Sequence, residues 1–143
     1  MLEFLHEKVI RFNGSILGFE EFDDFVISVV EEGSPYAYLQ SLQDENIGFF
    51  VVTPFVFYPE YTFEIEDKDK SLLELKSNEE VAVLNIVTIK EPYIKSTVNL
   101  LAPLVLNIAT GQARQLVLPP QSTYGTNDPL FKETPEEGGE RRC

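Results

Sequence analysis

Ser96–Leu118, STVNLLAPLVLNIATGQARQLVL, decides the fold. Its apolar and β-branched residues fall into short runs, Ile94–Leu100, Leu104–Ala109 and Gln112–Leu118, broken by Pro103 and Gly111. That texture predicts successive short strands joined by tight turns. Asn99 and Asn107 lie inside it and belong to no catalytic motif. Asparagine amides at strand ends and bulges tie backbone groups together, which is the plainest role for both.

The same texture extends upstream. Asp24–Glu31, Tyr36–Leu42 and Ile47–Val52 are β-branched and aromatic runs separated by turn formers, and they read as strands. Tyr61, Phe63 and Ile65 alternate with Thr62, Glu64 and Glu66, the period of a half-buried strand with one acidic face. Asp67–Ser77 is composed of helix formers, with Ser71 and Glu74 spaced as a capping box, and predicts one short helix. Glu80–Ile89 joins the strands through its Val, Ile and Thr content. The expected fold is therefore mainly β, a single-domain antiparallel barrel-like structure spanning residues 1–124 with one short helix. From Gly125 onward, rich in Gly, Pro and Glu, residues 125–143 read as an acidic, disordered tail against which Pro129-Leu130-Phe131 alone has the means to dock.

The chain has 143 residues, enough for one core and short for two. Its net charge is -13, concentrated in residues 1–60, where eleven acids meet two bases. Such a field repels phosphate backbones and attracts basic proteins, so direct nucleic-acid binding is disfavoured. No signal-peptide pattern and no run of about 18 apolar residues appears, so no membrane association is expected and the chain reads as cytoplasmic. Cys143 alone forms no internal disulfide, consistent with a reducing compartment.

The sequence offers little for catalysis. Asp67 and Asp69 open with the spacing of a calcium loop, but Leu72 and Asn78 occupy the places that require glycine and a bidentate glutamate. His6 is the sole histidine, so neither a histidine metal pair nor a well-placed serine triad can be assembled, and no cofactor or metal is expected. Carboxylate pairs abound by chance and support a carboxylate-dependent hydrolase only weakly.

Taken in order, Gly14–Phe22 (GSILGFEEF), Leu39-Gln40-Ser41, Pro54–Tyr61, the NLLAPLVLN run from Asn99 to Asn107, Gln115 and Tyr124 resemble the flagellar assembly factor FliW family. The likeness covers about Phe12 to Tyr124. Leu17 departs from it, since the family usually carries proline in that G-(I/L)-P-G turn. The resemblance implies a non-enzymatic protein that binds newly made flagellin in the cytoplasm. When free of flagellin, it would bind the RNA-binding regulator CsrA and relieve repression of flagellin translation, with allosteric antagonism as the expected mode. An acidic RNA mimic competing directly at a basic protein is the alternative.

For partner contact the sequence nominates Tyr58, Glu60 and Tyr61 together with Glu64, Glu66, Asp67 and Asp69, aromatics as anchors and carboxylates for steering. Glu20 and Glu21, beside Phe19 and Phe22, form a second candidate surface. The competing reading buries Tyr58 and Tyr61 and leaves the acids merely solvated. Gly14 and Gly18, Gln40 and Ser41, Pro54, Asn99, Pro103 and Asn107 are expected to shape turns and packing. An apolar groove for the helical ends of flagellin is expected near Phe49, Phe55 and Phe57.

Overall fold

In the computed structural model, which describes residues 2–29 and 31–131, the strands are β1 (Val9–Arg11), β2 (Asp24–Val29), β3 (Tyr36–Ser41), β4 (Gly48–Val52), β5 (Val81–Thr88), β6 (Thr97–Val98), β7 (Leu104–Asn107), β8 (Ala113–Gln115) and β9 (Asp128–Pro129). Each strand ladder is antiparallel, running β1-β2-β3-β4-β5, with β7 and β8 continuing from β5. A parallel bridge between Arg11 and Gln112, in which Arg11 N donates to Gly111 O at 2.8 Å, joins β8 back to β1. That bridge closes the ring, so the expected barrel-like architecture holds.

Period-two alternation places Phe25 and Ile27 of β2, Ala37 and Leu39 of β3, and Leu104 and Leu106 of β7 in the interior with Phe12 and Ile16, all essentially inaccessible. Burial of each large side chain there contributes about 1.5–3 kcal/mol, which fixes the register, since a slip of one residue would turn the whole set outward.

β5 is the branch point. Val81–Leu84 pair with β7, whereas Val87 and Thr88 pair along the same edge with β6, and β4 holds the opposite edge from Asn85 to Val87. Asn85, completely buried, staples this fork by donating from Nδ2 to Asn99 O (2.8 Å) and to Tyr61 Oη (3.2 Å). A second core of Val52, Tyr61, Val87, Val98, Leu100, Leu118 and Leu130 fills the space beneath β6 and β9.

Three expectations are corrected. Residues 125–131 are part of the fold: β9 pairs with β6, and Leu130, 1% exposed, donates its N–H to Ser96 O; the rest of the expected tail, 132–143, lies outside the described residues. Tyr61–Glu66 alternates as expected, with Tyr61 buried and Thr62, Glu64 and Glu66 exposed, but it belongs to no strand. The helix α1 spans Asp67–Leu72 and stops short of Ser77. Glu74 takes a left-handed conformation (φ 56°), Leu75 N bonds Lys70 O and Glu74 N bonds Ser71 O, the Schellman arrangement that ends a helix. Ser71 thus lies within α1 and caps nothing at its start.

Candidate functional site

The segment after Tyr61 and the chain leaving β8 face one another across a groove of about 730 Å³. Thr62, Phe63, Glu64 and Glu66 form one wall, and Gln115–Pro119 form the other. At its base Arg114 Nε lies 3.3 Å from Asp69 Oδ1. Two buried polar atoms of this lining, Arg114 Nε and Ser122 Oγ, have no hydrogen-bond partner among the described residues. Asp69 is placed here because it lies on the inward side of α1, 7% exposed. Its nomination as an exposed contact is corrected: the carboxylate neutralises Arg114.

Tyr61 is likewise corrected. It is 4% exposed, donates to Leu100 O at 2.6 Å, and stacks edge-on with Tyr124 at 4.7 Å. Burial pushes its phenol up to about 12. Tyr58 is half-buried, donates to Pro129 O, and has its phenol raised chiefly by burial. Glu60, Glu64, Glu66 and Asp67 are exposed. Glu20 and Glu21 are also exposed, on the loop between β1 and β2. That loop abuts the groove, since Leu17 N donates to Gln115 Oε1 at 2.8 Å.

The turn-forming residues act locally. Phe19 N bonds Ile16 O, and Gly18 supplies φ +85° at the third position, the arrangement of a type II turn, while Gly14 sits at φ +77°. Gln40 Nε2 donates to Glu45 O and Ile47 O at 3.0 Å, and buried Ser41 accepts from Gln43 N and Asp44 N, which together hold the β3–β4 connection. Buried Pro54 opens a single 3-10 turn. Asn99 Oδ1 accepts from Ala102 N, and Pro103 O accepts from Leu116 N. Asn107, 1% exposed, donates to Leu73 O (2.8 Å) and accepts from Ala109 N (2.9 Å), bonding the end of α1 to the β7–β8 turn.

The expected apolar groove at Phe49, Phe55 and Phe57 does not exist as one feature. Phe49 packs inward on Phe19 (5.0 Å) and Phe25 (5.9 Å), whereas Phe57 packs on Tyr36 and Phe131. Other aromatic contacts lie at the surface. Tyr93 stacks on Phe131 at 5.0 Å and its hydroxyl meets that of Tyr36 at 2.6 Å, and Phe55, Val56 and Ile94 are exposed. The sequence reading missed Asn85, Arg114, Ser122 and Val117. Asn85 alone had a visible signal, one amide in the apolar run EVAVLNIVTI.

Among the described residues no helix is long and apolar enough to cross a membrane, and no group of three or more His, Cys, Asp or Glu is placed to hold a metal ion.

Comparison with known proteins gives a consistent result. The family model described as FliW protein matches residues 1–130. The flagellar assembly factor FliW of Bacillus subtilis (strain 168) is 41% identical over 128 residues, 90% of this chain and 89% of that protein. The flagellar assembly factor FliW of Clostridium tetani is 35% identical over 132 residues, 92% of this chain and 90% of that protein. A crystal structure of the flagellar assembly factor FliW superposes with a TM-score of 0.80 at 32% identity, covering 90% of this chain and 89% of that one.

Proposed function

This chain belongs to the FliW family of flagellar assembly factors, and on that premise we propose that it binds flagellin in the cytoplasm and, when free of it, binds CsrA and relieves repression of flagellin translation. The observation that carries this reading is that one small fold exposes both a set of acids and a set of large apolar side chains. Glu60, Glu64, Glu66 and Asp67 are exposed on a chain of net charge -13, which suits a basic RNA-binding protein and repels the RNA itself. The exposed Phe55, Val56, Tyr93 and Ile94 suit an apolar helical segment such as a flagellin end.

The switch then requires that the two partners disfavour each other's complex, a reciprocal coupling free energy with no chemistry involved. Exclusion of one partner by the other does not require a shared footprint, because the groove and the branch at β5 are joined through one core that includes Tyr61, Leu118 and Leu130. Antagonism of CsrA is allosteric in this account.

Size-exclusion chromatography of equimolar mixtures tests the reading. Co-elution with flagellin and, separately, with CsrA is expected, with no ternary complex. Independent migration of all three proteins would refute it. A titration of CsrA–RNA binding separates the alternative: an allosteric partner brings the apparent RNA dissociation constant to a plateau, whereas a direct mimic raises it without limit.

A further inference from the structure

We propose that the groove between residues 62–66 and 115–119 takes up an extended, lysine- or arginine-bearing segment of a protein partner as an added β-strand. This deepens the reading above, on which it rests for the partner being a protein.

The argument begins with unused backbone. Leu116 N and Leu118 N donate to Pro103 O (2.9 Å) and Leu101 O (2.8 Å), continuing the β7–β8 pairing past the end of β8. In an extended chain alternate residues address opposite edges, so the N–H and C=O of Val117 point away from that pairing. They make no hydrogen bond among the described residues. Across the groove, the backbone N–H and C=O groups of Phe63, Glu64 and Ile65 are also unbonded among the described residues, although Tyr61–Glu66 alternates like a strand. Two open edges therefore border one depression, which is the arrangement that strand addition uses.

Open edges are ordinarily guarded, because they template unwanted pairing. Val117, 59% exposed and apolar, provides no such guard. Beneath it, Leu116 and Leu118 form an apolar floor for alternate side chains of an incoming segment. Ser122 Oγ, buried and without a hydrogen-bond partner among the described residues, adds a polar group to the lining.

Charge selects the occupant. Asp69 already neutralises Arg114, so Glu64 and Glu66 outnumber the one remaining cation of the lining, Lys68. Asp67 adds another exposed acid beside them, and the whole chain carries -13. An extended segment bearing basic side chains is attracted, whereas an acidic one, including a second copy of this chain, is repelled.

The test uses the full chain and an N-acetylated, C-amidated heptapeptide of alternating lysine and valine, a probe that contains neither flagellin nor CsrA. Backbone amide exchange followed by NMR should show Phe63, Glu64, Ile65 and Val117 becoming protected as the peptide is added. N-methylation of its valine amides, which removes donors and keeps charge, should weaken binding by about tenfold or more. Val117→Pro should do the same while leaving the melting temperature close to that of Val117→Ala, because that N–H serves no internal bond. Equal binding by the N-methylated peptide, or protection confined to other amides, would overturn the proposal. So would protection of these amides that rises with the chain's own concentration, since it would assign the groove to a second copy. The peptide result stands apart from the flagellin and CsrA mixtures, so either reading can fail without the other.

Discussion

The hydroxyl of Tyr61 lies 2.6 Å from the carbonyl oxygen of Leu100, which makes the tyrosine a strut between the segment leading to the helix and the loop that connects β6 to β7. Tyr61 Oη also accepts from Asn85 Nδ2 at 3.2 Å, so that single atom ties three parts of the chain at the fork of the sheet. Tyr61→Phe keeps the ring and deletes that atom. It should destabilise the fold by about 1–3 kcal/mol, because the buried Leu100 C=O loses a donor and Asn85 Nδ2 loses one of its two acceptors. A lower denaturant midpoint with unchanged partner affinity is expected. An unchanged midpoint would contradict the strut.

The pH dependence follows from the same residue. The folded phenol is raised from 10.0 to about 12, first by burial, so the folded state favours the protonated form. Its stabilising contribution is complete below pH 10 and is lost as pH rises through about 12. Thermal melts between pH 9 and 12 should show a steeper alkaline loss in the native chain than in Tyr61→Phe. Parallel curves would exclude Tyr61 as the titrating group.

At the end of α1, Glu74 holds a left-handed backbone without being glycine. Glu74→Gly removes a conformational strain of about 1–2 kcal/mol. It also forfeits the exposed hydrogen bond from Gln112 Nε2 and some unfolded-state rigidity, so a gain of about 0.5–1 kcal/mol is expected. Asn107→Ala should act oppositely, costing about 2–3 kcal/mol, since it removes the donor to Leu73 O and the acceptor for Ala109 N in a buried site. Chemical denaturation of the two variants checks both signs.

Leu17 holds the second position of this type II turn, where the family resemblance implies proline. Proline suits the second position of a type II turn and stiffens the unfolded chain, a gain of about 0.4–1 kcal/mol. It also removes the N–H that reaches Gln115 Oε1 at 2.8 Å, an exposed bond worth about 0.5–1.5 kcal/mol. The two effects nearly cancel, so the denaturant midpoint of Leu17→Pro should match the native chain closely. A large loss would mean that the Leu17–Gln115 bond anchors the loop more strongly than its exposure indicates.

Acidic residues separate into two kinds. Reversal of Glu64, Glu66 and Asp67 to lysine should slow association with CsrA by about tenfold at low ionic strength, with the difference shrinking as salt is added. Asp69→Ala should instead lower stability by about 1–3 kcal/mol, because it strands Arg114 beside the groove. Stopped-flow rates at two salt concentrations, with melting curves, distinguish the effects.

Sequence periodicity located β2 to β5 and β7 because each buries alternate side chains against neighbours, a demand that local pattern records. Pairing itself is not local. Tyr61–Glu66 has the alternation of a strand, yet whether a partner lies alongside depends on Leu116–Leu118, over fifty residues away. β9 is two residues in a proline- and glycine-rich tract, held by its pairing with β6 and by the burial of Leu130 against the second core, both contacts remote in sequence. Asp69 looked like its exposed neighbours in DKDKS because its partner, Arg114, comes from β8. The candidate surface was therefore legible as an acidic face, and the groove beside it was not.

The central claim is that flagellin and CsrA exclude one another from this chain. Sequential calorimetric titration with the two proteins from the same bacterium measures it directly. The account predicts saturable binding of each alone, loss of CsrA binding once flagellin is bound, and a salt dependence carried by the CsrA step. Full-strength binding of CsrA to the flagellin complex, or binding of neither partner, would contradict it.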